Sequence, residues 1–259
     1  MVNQDMPSWA GKIILHEKQM DSTNEAAKRA GNKGAAEGTV FWADTQTAGK
    51  GRRGRSWYSH EADNLYFTIL LRPSVTPDKA SMLTLVMAYA VAKAVREFTG
   101  LNAQIKWPND IVMEGKKICG ILCEMKLDGT GLDYCVAGVG INVGKQEFAE
   151  DIRDKATSLE AQCGRKTDRE GLLQAILGYF EKGYEEFLRS EDLSFLREEY
   201  NEWLVNLNRQ VRVLEPQGEY EGVAKGITST GELLVEVAEG QVEKVYAGEV
   251  SVRGLYGYV

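Results

Sequence analysis

The chain has 259 residues, 38 acidic and 31 basic, for a net charge of −7. That length buries a substantial core and accommodates one large domain beside a small one, while the acidic balance excludes a protein that grips polyanions over its whole surface. Four cysteines without C-x-x-C spacing and two histidines, His16 and His60, give no zinc pattern. No run approaches the ~18 apolar residues of a membrane span, and Met1 to Ile14 hold no apolar signal core; reduced cysteines in a cytoplasmic protein are the expectation.

In chain order, residues 13–15 read as a short strand leading into Asp21-Ser22-Thr23-Asn24-Glu25, a helix-forming Ala26-Ala27-Lys28-Arg29-Ala30 and a stop at Gly31. Ser22 and Glu25 stand at capping-box spacing. The same polar group also suits a ligand, because the first N–H groups of a helix are free. Residues 39–43 read as a strand, followed by Thr45-Gln46-Thr47-Ala48-Gly49-Lys50-Gly51-Arg52-Arg53-Gly54-Arg55-Ser56-Trp57. Within it, three glycines and four cations fall inside seven residues, Gly49 to Arg55. Crowded cations repel unless an anion sits among them, and glycine lets backbone approach a ligand closely. The pattern reads as a loop that closes on a phosphate-bearing ligand, with Trp57 as a stacking surface; a solvated basic turn is the plainer alternative. Gly49, Gly51 and Gly54 spell G-x-G-x-x-G, but no helical period follows and no acidic residue stands ~20 positions on, so a dinucleotide fold is disfavoured.

Residues 64–71 are rich in β-formers and end at Pro73, and 78–98 carry helical spacing through Leu83, Val86, Met87, Ala90, Val91 and Ala94. A strand enters Ile105-Lys106-Trp107-Pro108-Asn109-Asp110 and breaks at the proline. The stiff turn presents Lys106, Asn109 and Asp110 either to phosphates and magnesium or as an ordinary Asn-Asp turn. A hairpin at 113–117 returns as strand 118–124, with Lys117 at the junction and Gly120 marking close backbone approach. Strand 134–143 carries Gly138 and Gly140, which suit a ligand lying across the sheet or a bulge. Helices follow at 168–189 and 191–204. Short strands at 210–214, 221–224, 233–237 and 243–246, with turns at Gln217-Gly218, Thr230-Gly231 and Glu239-Gly240, predict a small β-barrel beyond a boundary at 206–208.

With these stretches together the chain resembles a biotin–protein ligase. The resemblance rests on Asp21 to Asn24, the Gln46-to-Trp57 loop, Lys106 to Asp110, Lys117 to Glu124 and Gly138 to Asn142, in that order. It implies an α/β (α+β) fold: a mixed-sheet, class II synthetase-like catalytic domain over 1–206 and an SH3-like barrel over 207–259. It implies ATP-dependent activation of biotin as biotinyl-5′-AMP and transfer to a lysine of a biotin carboxyl carrier domain of a carboxylase, with Mg2+ sharing the phosphate charge. It assigns biotin to Ser22, Thr23, Asn24, Gln46, Lys50, Gly51, Arg52 and Lys117. ATP falls to Arg52, Arg55, Trp57, Asn109, Asp110 and Asn142, and catalysis to Arg52, Lys106, Asp110 and Lys117, with Asp110 a candidate base for the acceptor amine. Metal ligands are not assigned. Lys50 stands where the family usually has arginine, keeping charge but losing the planar fork. The motif at residue 21 leaves no room for the winged helix of some members, so no DNA binding is expected; monomer and homodimer both stay open. The rival readings are a lipoate–protein ligase, a nucleic-acid-binding regulator and a non-catalytic biotin-binding module.

Overall fold

Residues 65–71 read Leu-Tyr-Phe-Thr-Ile-Leu-Leu and are buried at every position, as in a strand covered on both faces. This strand sits inside a seven-stranded sheet in a computed structural model that describes residues 7–59, 63–129, 131–215, 218–247, 251–254 and 258–259. His60 and Gln217 lie outside the described residues. The strands are β1 (Ile14–Met20), β2 (Val40–Gln46), β3 (Leu65–Leu71), β4 (Gln104–Lys106), β5 (Asp110–Met113), β6 (Lys116–Asp128) and β7 (Gly131–Ile141), ordered β1-β2-β3-β7-β6-β5-β4. β1 and β2 are parallel, joined through helix α1 (Thr23–Gly31); the other neighbours are antiparallel.

The pleat of β3 sorts its residues between two cores. Leu65, Phe67, Ile69 and Leu71 face a large core with helices α3 (Leu83–Thr99) and α5 (Arg169–Ser190). Leu70 joins Met20, Ala27, Phe41, Ala43, Tyr134 and Val136 under α1. By alternation Tyr66 and Thr68 share that second face.

The expected helix over 78–98 is interrupted. A short α2 (Pro77–Ala80) precedes α3, and the Ser81 hydroxyl donates to Asp78 O at 2.7 Å, a side-chain bond of the kind that competes with helical pairing. Likewise, the expected helix over 191–204 shortens. Glu191 closes α5 in a left-handed conformation (φ 54°), Asp192 accepts from Ser194 N at 2.9 Å, and the later helix starts only at Arg197. Helices α4 (Leu159–Cys163) and α6 (Arg197–Trp203) complete the set.

Strands β8 (Gln210–Glu215), β9 (Gly218–Ile227), β10 (Leu233–Ala238), β11 (Gln241–Val245) and β12 (Ser251–Gly254) form an antiparallel sheet, ordered β11-β10-β9-β8-β12. Among the described residues no ladder joins β11 to β12 and no closed barrel is detected, where a small β-barrel was expected. The sheet packs on the larger unit, where Trp107 Nε1 donates to Gly231 O at 3.0 Å and Ile227 N to Asn201 Oδ1 at 2.8 Å.

Candidate active site

Register alone assembles a cross-sheet row. Lys106 pairs with Asp110, Asp110 with Gly120, Gly120 with Gly140 and Gly140 with Tyr66. Directly opposed residues share a face, so this row crosses five strands on the α1 side. The next row is Leu122, Gly138 and Thr68. The glycines leave the floor bare where other groups come down. A Cβ on Gly138 would lie 1.9 Å from Asn24 Oδ1, and Cβ atoms on Gly120 and Gly140 would lie 2.7 and 2.8 Å from the Trp57 ring. Over this floor opens a cavity lined by Ser22, Thr23, Asn24, Gln46, Lys50, Gly51, Arg52, Trp57, Asn109, Lys117 and residues 120–122 and 138–140 of β6 and β7.

One end of the cavity is a buried polar network. Thr23 N donates to Gln46 Oε1 at 2.9 Å, and the Thr68 hydroxyl lies 2.8 Å from Thr23 Oγ1 and 2.7 Å from Asn24 Oδ1. Asn24 Nδ2 donates to Glu124 Oε2 at 2.8 Å and Leu122 O at 3.2 Å. Each bond fixes a donor or acceptor that would be costly to leave unpaired. Ser22 is buried at the helix start, yet its side chain makes no capping bond. Glu25 does not complete the expected box either: it pairs with Lys28 at 2.5 Å and Lys50 at 2.6 Å, and these cations hold its carboxyl below its ordinary value.

The basic loop lies down over the sheet. Gly51 N donates to Arg55 O at 2.7 Å and Trp57 N to Gly49 O at 2.9 Å, with a Lys50–Ser56 bridge between. A 3-10 turn, Arg52–Gly54, stands where a dinucleotide fold needs an α-helix, and Arg53 takes a left-handed conformation (φ 59°). Arg52 Nη1 donates to Asn109 Oδ1 at 2.8 Å. Burial lowers the Arg52 guanidinium from its usual value, against the pull of Asp110; arginine keeps its charge regardless. Trp57 Nε1 is buried without a hydrogen-bond partner among the described residues, and Lys117 Nζ stands 5.3 Å from the ring. Lys50 makes its single-point contact with Glu25, which a lysine serves without a planar fork.

The other end is cationic. Lys117 Nζ lies 2.6 Å from Asp110 Oδ1, with the carboxylate 15% exposed. Tyr258 donates its hydroxyl to Asp110 Oδ2, and Lys106 Nζ stands 3.4 Å from the Tyr258 ring centroid. Lys106 is 5% exposed, and burial, outweighing Asp110, lowers its ammonium to about 8. Burial opposes ionisation of Asp110, but Lys117, Tyr258 and Lys106 together hold the carboxyl below its usual value.

The structure thus gathers Ser22, Thr23, Asn24, Gln46, Lys50, Gly51, Arg52, Trp57, Asn109 and Lys117 around one cavity. Lys106 and Asp110 stand next along the same row. Arg55 is exposed on the loop. Asn142 is not among the residues lining the cavity; it is buried and donates from Nδ2 to Thr157 O at 3.2 Å. Sequence reasoning missed Thr68, Glu124 and Tyr258 as site residues. Strand alternation under α1 could have flagged Thr68, a hydroxyl in an apolar run; nothing local marks Tyr258.

Comparison with known proteins bears on this geometry. The biotin/lipoate A/B protein ligase family matches residues 16–142, and the biotin protein ligase C-terminal domain matches residues 207–253. The first defines a broad class of cofactor–protein ligases. The bifunctional ligase/repressor BirA of Bacillus subtilis strain 168 is 36% identical over 242 residues, covering 93% of this chain and 74% of that protein. The biotin–[acetyl-CoA-carboxylase] ligase of Paracoccus denitrificans is 33% identical, covering 90% and 98%. The biotin protein ligase of Aquifex aeolicus, solved with biotin and ATP, matches with a TM-score of 0.82 at 31% identity, covering 94% and 99%. The chain belongs to the biotin protein ligase family, and its mixed α/β unit with a small β domain behind it is the fold of that family.

Proposed function

We propose that this chain activates biotin with ATP and passes the biotinyl group to a lysine of a carrier domain in a biotin-dependent carboxylase. The observation that carries the reading is the bare glycine floor roofed by the Arg52 loop, with a neutral polar pocket at one end and paired cations at the other. Ser22, Thr23, Asn24 and Gln46 take the polar ring system of biotin. Lys50, Gly51 and Arg52 close over it, and Lys117 meets the carboxylate. Trp57 offers its face to adenine; Asn109, Asp110, Arg55 and Asn142 serve the nucleotide side.

A biotin carboxylate oxygen attacks the α-phosphorus of ATP, the bond to the β-phosphate oxygen breaks, and pyrophosphate leaves. The nucleophile is already ionised, since carboxyls titrate near ~4, so the task is to bring anion to anion. Positioned cations do this, and Lys50, Arg52 and Lys117 line the cavity. In the second half an acceptor amine attacks the acyl carbon and AMP departs, one proton leaving the nitrogen. Asp110, charged and doubly engaged, is a weak base and acts here as the anchor for Lys117.

No group of three or more His, Cys, Asp or Glu side chains able to hold a metal stands among the described residues. Magnesium enters as the counter-ion of the nucleotide phosphates, part of the substrate, a habit of that ion. We place the division between catalytic and C-terminal units near residue 206, and the cytoplasm as the compartment where the acceptor is met; no described helix is long and apolar enough to cross a membrane. The test is direct: incubation with biotin, ATP and magnesium releases pyrophosphate and yields a mass matching biotinyl-5′-AMP, and a carrier domain then gains one biotinyl group. Release with lipoate but not with biotin overturns the reading.

A further inference from the structure

Tyr258 lies beyond β12 and belongs to no motif that identifies the site, yet both ends of its side chain reach the cationic row. Its hydroxyl donates to Asp110 Oδ2 while Lys117 takes Oδ1 at 2.6 Å. The carboxylate is therefore gripped from two sides and loses its torsional freedom. The Tyr258 ring lies 3.4 Å from Lys106 Nζ. A lysine that is 5% exposed needs a partner for its ammonium, and the negative face of an aromatic ring is one. Lys106 and Asp110 are themselves register neighbours, one step along the row from Gly120 and Gly140.

We propose that Tyr258 is a positioning residue for adenylate formation: its hydroxyl fixes Asp110 so that Lys117 is aimed into the cavity, and its ring keeps Lys106 dry and directed along the same row. The inference rests on the ligase reading above. Tyr258 is not among the cavity-lining residues; it acts through Asp110 and Lys106. The charged groups facing Lys106 are Asp110 on β5, Lys117 on β6, Arg253 on β12 and Arg55 on the loop. Burial and the Asp110 charge push the Tyr258 phenol far up, so it stays a donor throughout the working range.

The experiment compares the full chain with Tyr258→Phe and Tyr258→Ala by steady-state pyrophosphate release across pH, with circular dichroism on each. Tyr258→Phe keeps the ring and loses the hydroxyl. Its kcat falls about ten-fold, the worth of one hydrogen bond to a charged group, with KM for biotin within about two-fold and the alkaline limb in place. Tyr258→Ala admits water to Lys106 as well, so its alkaline limb moves up by about one pH unit. Folded variants matching the parent in kcat and limb overturn the inference alone. So does a uniform loss in stability, kcat and KM with the limb unmoved, the mark of a merely structural tyrosine. Should Tyr258→Ala not fold, the kcat-against-KM split of Tyr258→Phe decides. A parent chain releasing no pyrophosphate with biotin overturns the ligase reading and this inference with it.

Discussion

Replacing Gly138 by alanine puts one methyl group where Asn24 stands. The new carbon would lie 1.9 Å from Asn24 Oδ1 and 2.8 Å from its Cγ, so the amide must leave. Its place is held by three hydrogen bonds, to Thr68, Leu122 O and Glu124. At ~0.5–1.5 kcal/mol each, their loss costs roughly 1.5–4.5 kcal/mol. Alanine returns ~0.5–1 kcal/mol, because glycine is unfavourable inside a strand. The balance is a destabilisation of about 2 kcal/mol. For a chain of this size that lowers Tm by about 4–8 °C. Displacing Asn24 also deforms the polar pocket, so biotin affinity by calorimetry falls at least ~10-fold, the loss of one good hydrogen bond. Gly129→Ala is the control, since a methyl there meets nothing within 4 Å. If Gly138→Ala melts at or above the parent temperature and binds biotin equally well, Asn24 does not depend on the bare floor and the account of the site is wrong.

Three further outcomes follow from the same geometry. Arg52→Ala removes the loop's bond to Asn109, so adenylate escapes into solution; filtration after a single turnover should find it free, and retention as in the parent would remove Arg52 from the closing loop. Lys117→Ala strips the cation at the reacting end, and pyrophosphate release should drop by ~100-fold or more, while unchanged release excludes Lys117 from the chemistry. Asp110 has a folded value below its unfolded value of ~3.9, so its stabilisation is present above about pH 4 and is lost as pH falls through the folded value. Urea unfolding between pH 5 and 2 should therefore show a shallower acid decline for Asp110→Asn; equal slopes would refute the assignment.

Much of this was legible in the sequence because the informative residues sit at their own breaks in pattern. Glycines 138 and 140 stand out as a ligand floor or a bulge and Gly120 as a close backbone approach, and the crowding of Gly49 to Arg55 as a phosphate-closing loop or a solvated basic turn; the structure lines one cavity with Gly120, Gly138, Gly140 and the loop residues Lys50 to Arg52. The β-formers of residues 64–71 mark a strand that ends before Pro73. What escaped depends on pairing between distant segments. Thr68 becomes a site residue only because β3 lies beside β7 in one register. Glu25 has the spacing of a capping residue, but Lys28 and Lys50 compete for it and win. The break before α3 turns on one serine hydroxyl, and Tyr258 reaches Asp110 across 148 positions of chain, a separation no local pattern encodes.

On the proposed function, the contact between Lys50 and Glu25 is one fastening of the loop over the activated acid, beside the Arg52–Asn109 bond. The Lys50 and Glu25 side chains are 48% and 28% exposed, and a pair that wet contributes no more than ~1 kcal/mol. Thermal motion parts such a bolt continually. For a catalyst that must surrender its cargo to a second protein, lightness is an asset: a heavier bolt would strand the activated acid, a lighter one would spill it into water. Ionic strength, which weakens this exposed fastening, thereby becomes a dial between delivery and waste.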